Sequence, residues 1–89
     1  MLTVYYTKQF KKDAKASKKR GKDTEKLKTV IRTLAEGKAL PEKCRDHFLI
    51  GKFDNFRECH IEPDWLLIYR LKGSQISFVR TGTHSDLFG

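Results

Sequence analysis

FDNFRECHIEPDWLLIYRLKGSQISFVRT, residues 53–81, is the stretch whose reading decides the fold. Three β-runs follow one another closely in it. Phe53 to Ile61 is the first, and Glu62-Pro63-Asp64 breaks it, since proline cannot donate to a sheet ladder. Trp65 to Leu71 is the second and is apolar at successive positions, as a central strand with both faces covered must be. Lys72-Gly73-Ser74 makes a hairpin turn, and Gln75 to Thr81 returns as the third run. Short connections of this kind leave an antiparallel meander.

On the N-terminal side, Lys38 to Lys52 has no hydrophobic period, and Pro41 and Gly51 mark it as a loop. Before it, Leu27, Val30, Ile31 and Leu34 follow the i, i+3, i+4, i+7 stripe of an amphipathic helix. Asp23 caps that helix, Glu25 lies in its first turn and Gly37 ends it. Thr7 caps an earlier helix running to about Lys19, with Phe10, Ala14 and Ser17 on its inner face and Gly21 as the left-handed stop. Leu2, Val4 and Tyr6 alternate with Thr3 and Tyr5, which predicts a short opening strand. His84 to Phe88 reads as one helical turn or a tail. The expected order is β-α-α-β-β-β, an α+β fold occupying residues 1–89 as a single domain. A helical hairpin would pack on one face of a mostly antiparallel sheet, leaving the other face open for a binding cleft.

Composition sets the class. The chain has 89 residues, of which 38% are hydrophobic and 11% aromatic, enough for a core without metal or disulfide support. The longest apolar run is Trp65 to Tyr69, far short of the roughly 20 residues that cross a bilayer. Met1 to Tyr6, followed by lysines, does not read as a secretory leader. Cys44 and Cys59 can form at most one bridge and read as reduced thiols. These features predict a cytoplasmic protein with no membrane partner.

The net charge is +8, and all of it belongs to residues 1–38, where twelve basic residues face Asp13, Asp23, Glu25 and Glu36. Residues 39–89 balance seven basic against seven acidic side chains. The excess lies above all in Lys8, Lys11, Lys12, Lys15, Lys18, Lys19, Arg20 and Lys22. So one-sided a field predicts an anionic partner rather than a merely solvated helix face.

The histidines lie in the neutral half. His60 ends one strand and Asp64 begins the next, so the two are neighbours across a hairpin mouth. Alternate strand ends of a meander return to the same edge, which brings Arg80 and His84 towards His60 and Asp64. A base, an acid and a cation at one place are what phosphoryl chemistry requires. Trp65 reads either as core or as a stacking platform for a base. Four zinc-type ligands are superficially present in Cys44, His47, Cys59 and His60. Cys59 and His60 are adjacent in a strand, however, and point to opposite faces. No metal site and no cofactor is expected. No glycine-rich phosphate loop or serine elbow occurs either.

The segments Arg45-Asp46-His47, Phe56-Arg57-Glu58-Cys59-His60-Ile61-Glu62-Pro63-Asp64-Trp65-Leu66-Leu67-Ile68-Tyr69 and Arg80-Thr81-Gly82-Thr83-His84-Ser85-Asp86-Leu87-Phe88 resemble the YafQ branch of the RelE-type toxins. Residue-level resemblance covers about half the chain, and the architecture covers all of it. The resemblance implies the toxin of a type II toxin–antitoxin pair that cleaves messenger RNA in the ribosomal A site without a metal. The 2′-hydroxyl would attack the adjacent phosphate to give a 2′,3′-cyclic phosphate and a 5′-hydroxyl. The implied site comprises His47, His60, Asp64, Arg80 and His84 as catalytic residues, with Trp65 and Phe88 contacting substrate. Arg80 would stabilise the pentavalent phosphate, and His60 and His84 would transfer protons, with Asp64 and His47 orienting or sharing that work. The lysine-rich helix would bind ribosomal RNA, an acidic antitoxin would shield part of the basic surface, and the pair could bind operator DNA. Two other readings remain open from sequence: a ParE-like topoisomerase inhibitor and a non-enzymatic nucleic-acid-binding module.

Overall fold

The computed structural model describes residues 1–49 and 56–89. Gly51 and the Phe53–Asn55 start of the expected first meander strand lie outside the described residues. The chain runs through β1 (Thr3–Tyr6), α1 (Lys8–Lys19), α2 (Thr24–Ala35), a 3-10 turn at Glu42–Cys44, β2 (His47–Phe48), β3 (Phe56–Glu62), β4 (Trp65–Lys72), β5 (Gln75–Gly82) and α3 (His84–Phe88).

Local chemistry accounts for the element ends. The Thr7 side chain accepts from the Phe10 N–H at the start of α1, and Asp23 accepts from the Glu25 N–H at the start of α2. Gly21 and Gly37, which follow the two helices, adopt positive φ of 84° and 75°, a region glycine enters without a steric penalty.

The sheet order is β1-β5-β4-β3-β2. The meander β3-β4-β5 is antiparallel, whereas β1 pairs in parallel with β5. A parallel pair needs a long crossover, and here the chain between the two strands includes both helices. β2 is a finding beyond the expected order: His47 and Phe48 pair with Glu58 and Arg57. Two residues are too few to show a period. α3 resolves the expected turn or tail in favour of a short helix, closed by a capping box between Thr83 and Asp86.

Strand register sorts the sheet into two faces. Cys59, Leu67 and Thr81 share one row. With Tyr69, Ile76 and Phe78 they face the helices, where Phe10, Leu27, Val30 and Leu34 close the core. Tyr6, Phe10 and Phe78 stack there with centroids 5.5 to 6.0 Å apart. Cys44 and Cys59 are free, buried thiols, and burial pushes the Cys59 thiol well above its ordinary range. The alternate rows, Glu58–Ile68–Arg80 and His60–Leu66–Gly82, belong to the face away from the helices. That face carries the polar residues singled out by sequence.

Candidate active site

The site is assembled where three chain segments meet beyond the end of the meander. His60 lies near the end of β3, Asp64 lies in the β3–β4 turn, and His84 opens α3 just after β5. His60 and Gly82 flank Leu66 in one register row, so α3 starts beside the His60 ring. The His60 and His84 ring centroids are 5.7 Å apart, tilted by 59°.

Asp64 fixes His84 twice. Its Oδ1 accepts the His84 backbone N–H at 2.9 Å and pairs with ring Nδ1 at 2.5 Å. These two hydrogen bonds, the backbone one first, hold the Asp64 carboxyl below the usual carboxylate range. A ring that donates through Nδ1 presents its other nitrogen, Nε2, outward. Both side chains are more than half exposed, which leaves the pair open to a polymer.

His47 is held by backbone and core together. Its Nδ1 faces the Arg45 carbonyl at 2.5 Å, and Arg45 takes a left-handed φ of 48° to present that oxygen. The preceding Asp46 is anchored by the Tyr69 hydroxyl at 2.5 Å and by Arg57 Nε at 3.1 Å. Burial, followed by that bond to Asp46, pushes the Tyr69 hydroxyl far above its ordinary range, so it stays a donor.

Glu58 is the residue that sequence reading passed over. Its nearly buried carboxylate stands between His47 Nε2 at 3.4 Å and His60 Nε2 at 3.6 Å. An ion pair with either ring requires that ring to carry its second proton. The signal was available, because Glu58 lies two residues before His60 and alternate strand residues share a face.

Arg80 shares the face away from the helices, where Leu66 and Ile68 are buried rather than open as expected, but it engages a different partner from the histidines. Its Nε and Nη2 donate to the two carboxylate oxygens of Asp13 at 2.7 and 3.3 Å. Asp13 also accepts the Thr81 backbone N–H at 3.2 Å. The hydrogen bond to Asp13 is the main cause that raises the Arg80 pKa further above its ordinary value.

Trp65 corrects the substrate-contact expectation. It is 1% exposed, and its indole N–H donates to Thr81 Oγ1 at 3.0 Å inside the core. No ring face is left for a base, so Trp65 supports the turn bearing Asp64 from below. Phe88, at the end of α3, is 47% exposed.

The basic residues divide into two groups. Lys8, Lys11, Lys12, Lys15, Lys18 and Lys19 are exposed along α1. Arg20 forms a two-pronged pair with Asp86 of α3 at 2.6 and 3.3 Å. Lys22 pairs with Glu62 at 3.1 Å, where Lys26 joins it at 3.0 Å. Arg20 and Lys22 therefore already hold partners within the chain, unlike the free cations the sequence led one to expect. Next to His60, a groove of about 470 Å³ runs past Ile61 and Pro63 to Lys26, Lys43 and Arg45. Among the described residues, no group of three or more His, Cys, Asp or Glu is placed to hold a metal ion.

Three comparisons place this arrangement among known proteins. The model of the family described as "Bacterial toxin of type II toxin-antitoxin system, YafQ" matches residues 2–89. The mRNA interferase toxin YafQ of Escherichia coli K12 is 44% identical over 87 residues, covering 97% of this chain and 95% of its own. The crystal structure of the E. coli DinJ–YafQ complex aligns over 100% of both chains with a TM-score of 0.94 and 42% identity. A metal-bound toxin from Helicobacter pylori aligns over 99% of this chain and 100% of its own, with a TM-score of 0.92 and 43% identity.

Proposed function

The chain belongs to the YafQ family of bacterial type II toxin–antitoxin toxins, and from that premise we propose that it is an endoribonuclease that cuts messenger RNA on the ribosome. The observation that carries this reading is the adjoining His60–His84 pair, with His84 oriented by Asp64. Two imidazoles side by side can serve the attacking and the leaving oxygen of one phosphodiester.

In the proposed reaction, His84 Nε2 removes the proton from a ribose 2′-hydroxyl. The freed oxygen attacks the adjacent phosphorus, and the bond from phosphorus to the 5′-oxygen breaks. His60 gives its proton to that oxygen, producing a 2′,3′-cyclic phosphate and a 5′-hydroxyl. Asp64 stabilises the His84 imidazolium that forms. Glu58, between His47 and His60, holds the two rings at one carboxylate. Arg80 offers its remaining guanidinium N–H groups to the charge that develops on the phosphorane. The chain's own base, acid and cation complete this scheme, so it calls on no cofactor.

The exposed lysines of α1 supply the contact with ribosomal RNA, through phosphates and without sequence readout. Phe88 contacts the bases. E. coli YafQ is known in complex with DinJ, and a cognate antitoxin would cover this toxin in the same way. The pair would bind operator DNA, and the setting is the cytoplasm.

Wild type and His84→Ala, added to a cell-free translation system, test the reading. Wild type should stop protein synthesis, while the variant should fail to do so yet still capture the antitoxin. Untouched cell-free translation, with growth arrest and lost DNA supercoiling when either form is expressed in cells, would instead identify a topoisomerase inhibitor.

A further inference from the structure

α1 has two faces with different work to do. The outer face carries the exposed lysines, and the inner face carries Asp13, Ser17 and Arg20. β1 ends at Tyr6, opposite Phe78, so among the described residues β5 continues beyond it without a neighbouring strand on that side. Asp13 occupies that free edge, accepting from the Thr81 N–H and from Arg80. Its side chain is 11% exposed, against 33% for that of Arg80. The Asp13 carboxylate takes the Nε–Nη2 edge of the guanidinium. Nη1 is left out of the pair. About two turns further on, at the C-cap of α1, Arg20 holds Asp86 of the helix that carries His84.

We propose that Asp13 is a positioning residue, which fixes the Arg80 guanidinium by one edge so that its other edge meets the scissile phosphate, and thereby ties the ribosome-facing helix to the reacting group. The proposal rests on the endoribonuclease reading for its catalytic sense, but the ion pair itself does not. An arginine on an exposed strand end otherwise samples many rotamers, and a carboxylate that binds two of its nitrogens removes most of them.

The test is a double-mutant cycle in single-turnover cleavage on programmed ribosomes, using wild type, Asp13→Asn, Arg80→Ala and the double variant. Asp13→Asn should slow the cleavage step about 10- to 100-fold while the ribosome concentration giving half-maximal rate stays unchanged. The double variant should be no slower than Arg80→Ala alone. Asp13→Glu should recover part of the rate. A double variant slower by the product of the two single effects would overturn the proposal, as would an unchanged cleavage step in Asp13→Asn. A second readout separates its failure from failure of the nuclease reading. In the free protein, the Arg80 Nε–H resonance should be protected from solvent exchange in wild type and lose that protection in Asp13→Asn. If wild type cuts no message, the nuclease reading falls, and with it the catalytic part of the proposal. Unchanged exchange in the variant overturns the positioning role outright.

Discussion

At the scale of single residues, the candidate site holds its side chains through specific polar partners. Asp64 claims Nδ1 of His84, the Arg45 carbonyl claims Nδ1 of His47, and Asp13 claims one edge of Arg80. Removing His84 should therefore remove chemistry and little else. His84→Ala is expected to lower the single-turnover rate by roughly 10²–10⁴-fold, with ribosome association and melting temperature close to wild type. Arg80→Lys should be nearly as damaging as Arg80→Ala, because an ammonium cannot bind Asp13 through one edge and a phosphate through the other. That His60, Asp64 and His84 come together was legible in the sequence, because a meander returns alternate strand ends to one edge, whereas His47 was named mainly through the family resemblance and Arg80 pairs with Asp13 instead. Neither Asp13 nor Glu58 was singled out: the place of Glu58 two residues before His60 was readable in the strand pattern, whereas only the packing of α1 against β5 reveals what Asp13 touches. Trp65 was legible as an aromatic beside the site, but its burial depends on how the β3–β4 turn closes over Thr81.

At the scale of elements, α3 has no buried side chain and is held by a few specific contacts. Its capping box closes the first turn, Arg20 grips Asp86, and Gly82 lets the strand pass beneath it. A Cβ at Gly82 would stand 2.9 Å from Asp86 Cβ and 3.0 Å from Asp86 Oδ2. Gly82→Ala must therefore displace α3, at a cost of about 1–3 kcal/mol by the usual measure of overpacking. Calorimetry should show a lowered melting temperature, and cleavage should fall by more than stability alone explains, since His84 moves with the helix. For α1 the expectation concerns its outer face. Lys11→Glu or Lys15→Glu should weaken ribosome association and flatten its dependence on salt, as measured by sedimentation at several ionic strengths. An unchanged salt slope would show that this face is not the ribosome contact. Both long helices were readable from their caps and stripes, because Thr7 and Asp23 act locally. β2 was not, since its two residues owe their strand conformation to pairing with β3 rather than to any pattern of their own.

At the scale of the whole molecule, the helix-facing side of the sheet carries the main core, and the opposite side carries the proposed site around buried Leu66 and Ile68. Phe78 lies fully buried at the centre of the aromatic cluster. Phe78→Ala should cost roughly 3–5 kcal/mol, a large share of the 5–15 kcal/mol typical of a folded domain, and denaturant melts would show it. Acid should loosen the fold through particular carboxylates. Hydrogen bonds from Arg20 depress Asp86, those from Lys26 and Lys22 depress Glu62, and those from His84 depress Asp64. A group whose folded pKa is lowered stabilises the fold above its unfolded value, near pH 4, and loses that contribution as pH falls towards the folded value. Stability should therefore hold down to about pH 4 and decline below it, with Asp86→Asn flattening the decline. The uneven charge, with the whole +8 in residues 1–38, was readable from composition alone. That part of this charge is taken up by ion pairs within the chain, through Arg20 and Lys22, was not.

The central claim is that His60 and His84 transfer the protons of an RNA transesterification on the ribosome. Primer extension on a reporter message translated by purified ribosomes, followed by analysis of the cut ends, tests it most directly. Wild type should leave discrete cuts within translated codons, each ending in a 2′,3′-cyclic phosphate and facing a 5′-hydroxyl, and His84→Ala should leave none. Cuts that persist in His84→Ala, or ends that carry a 5′-phosphate, would contradict it.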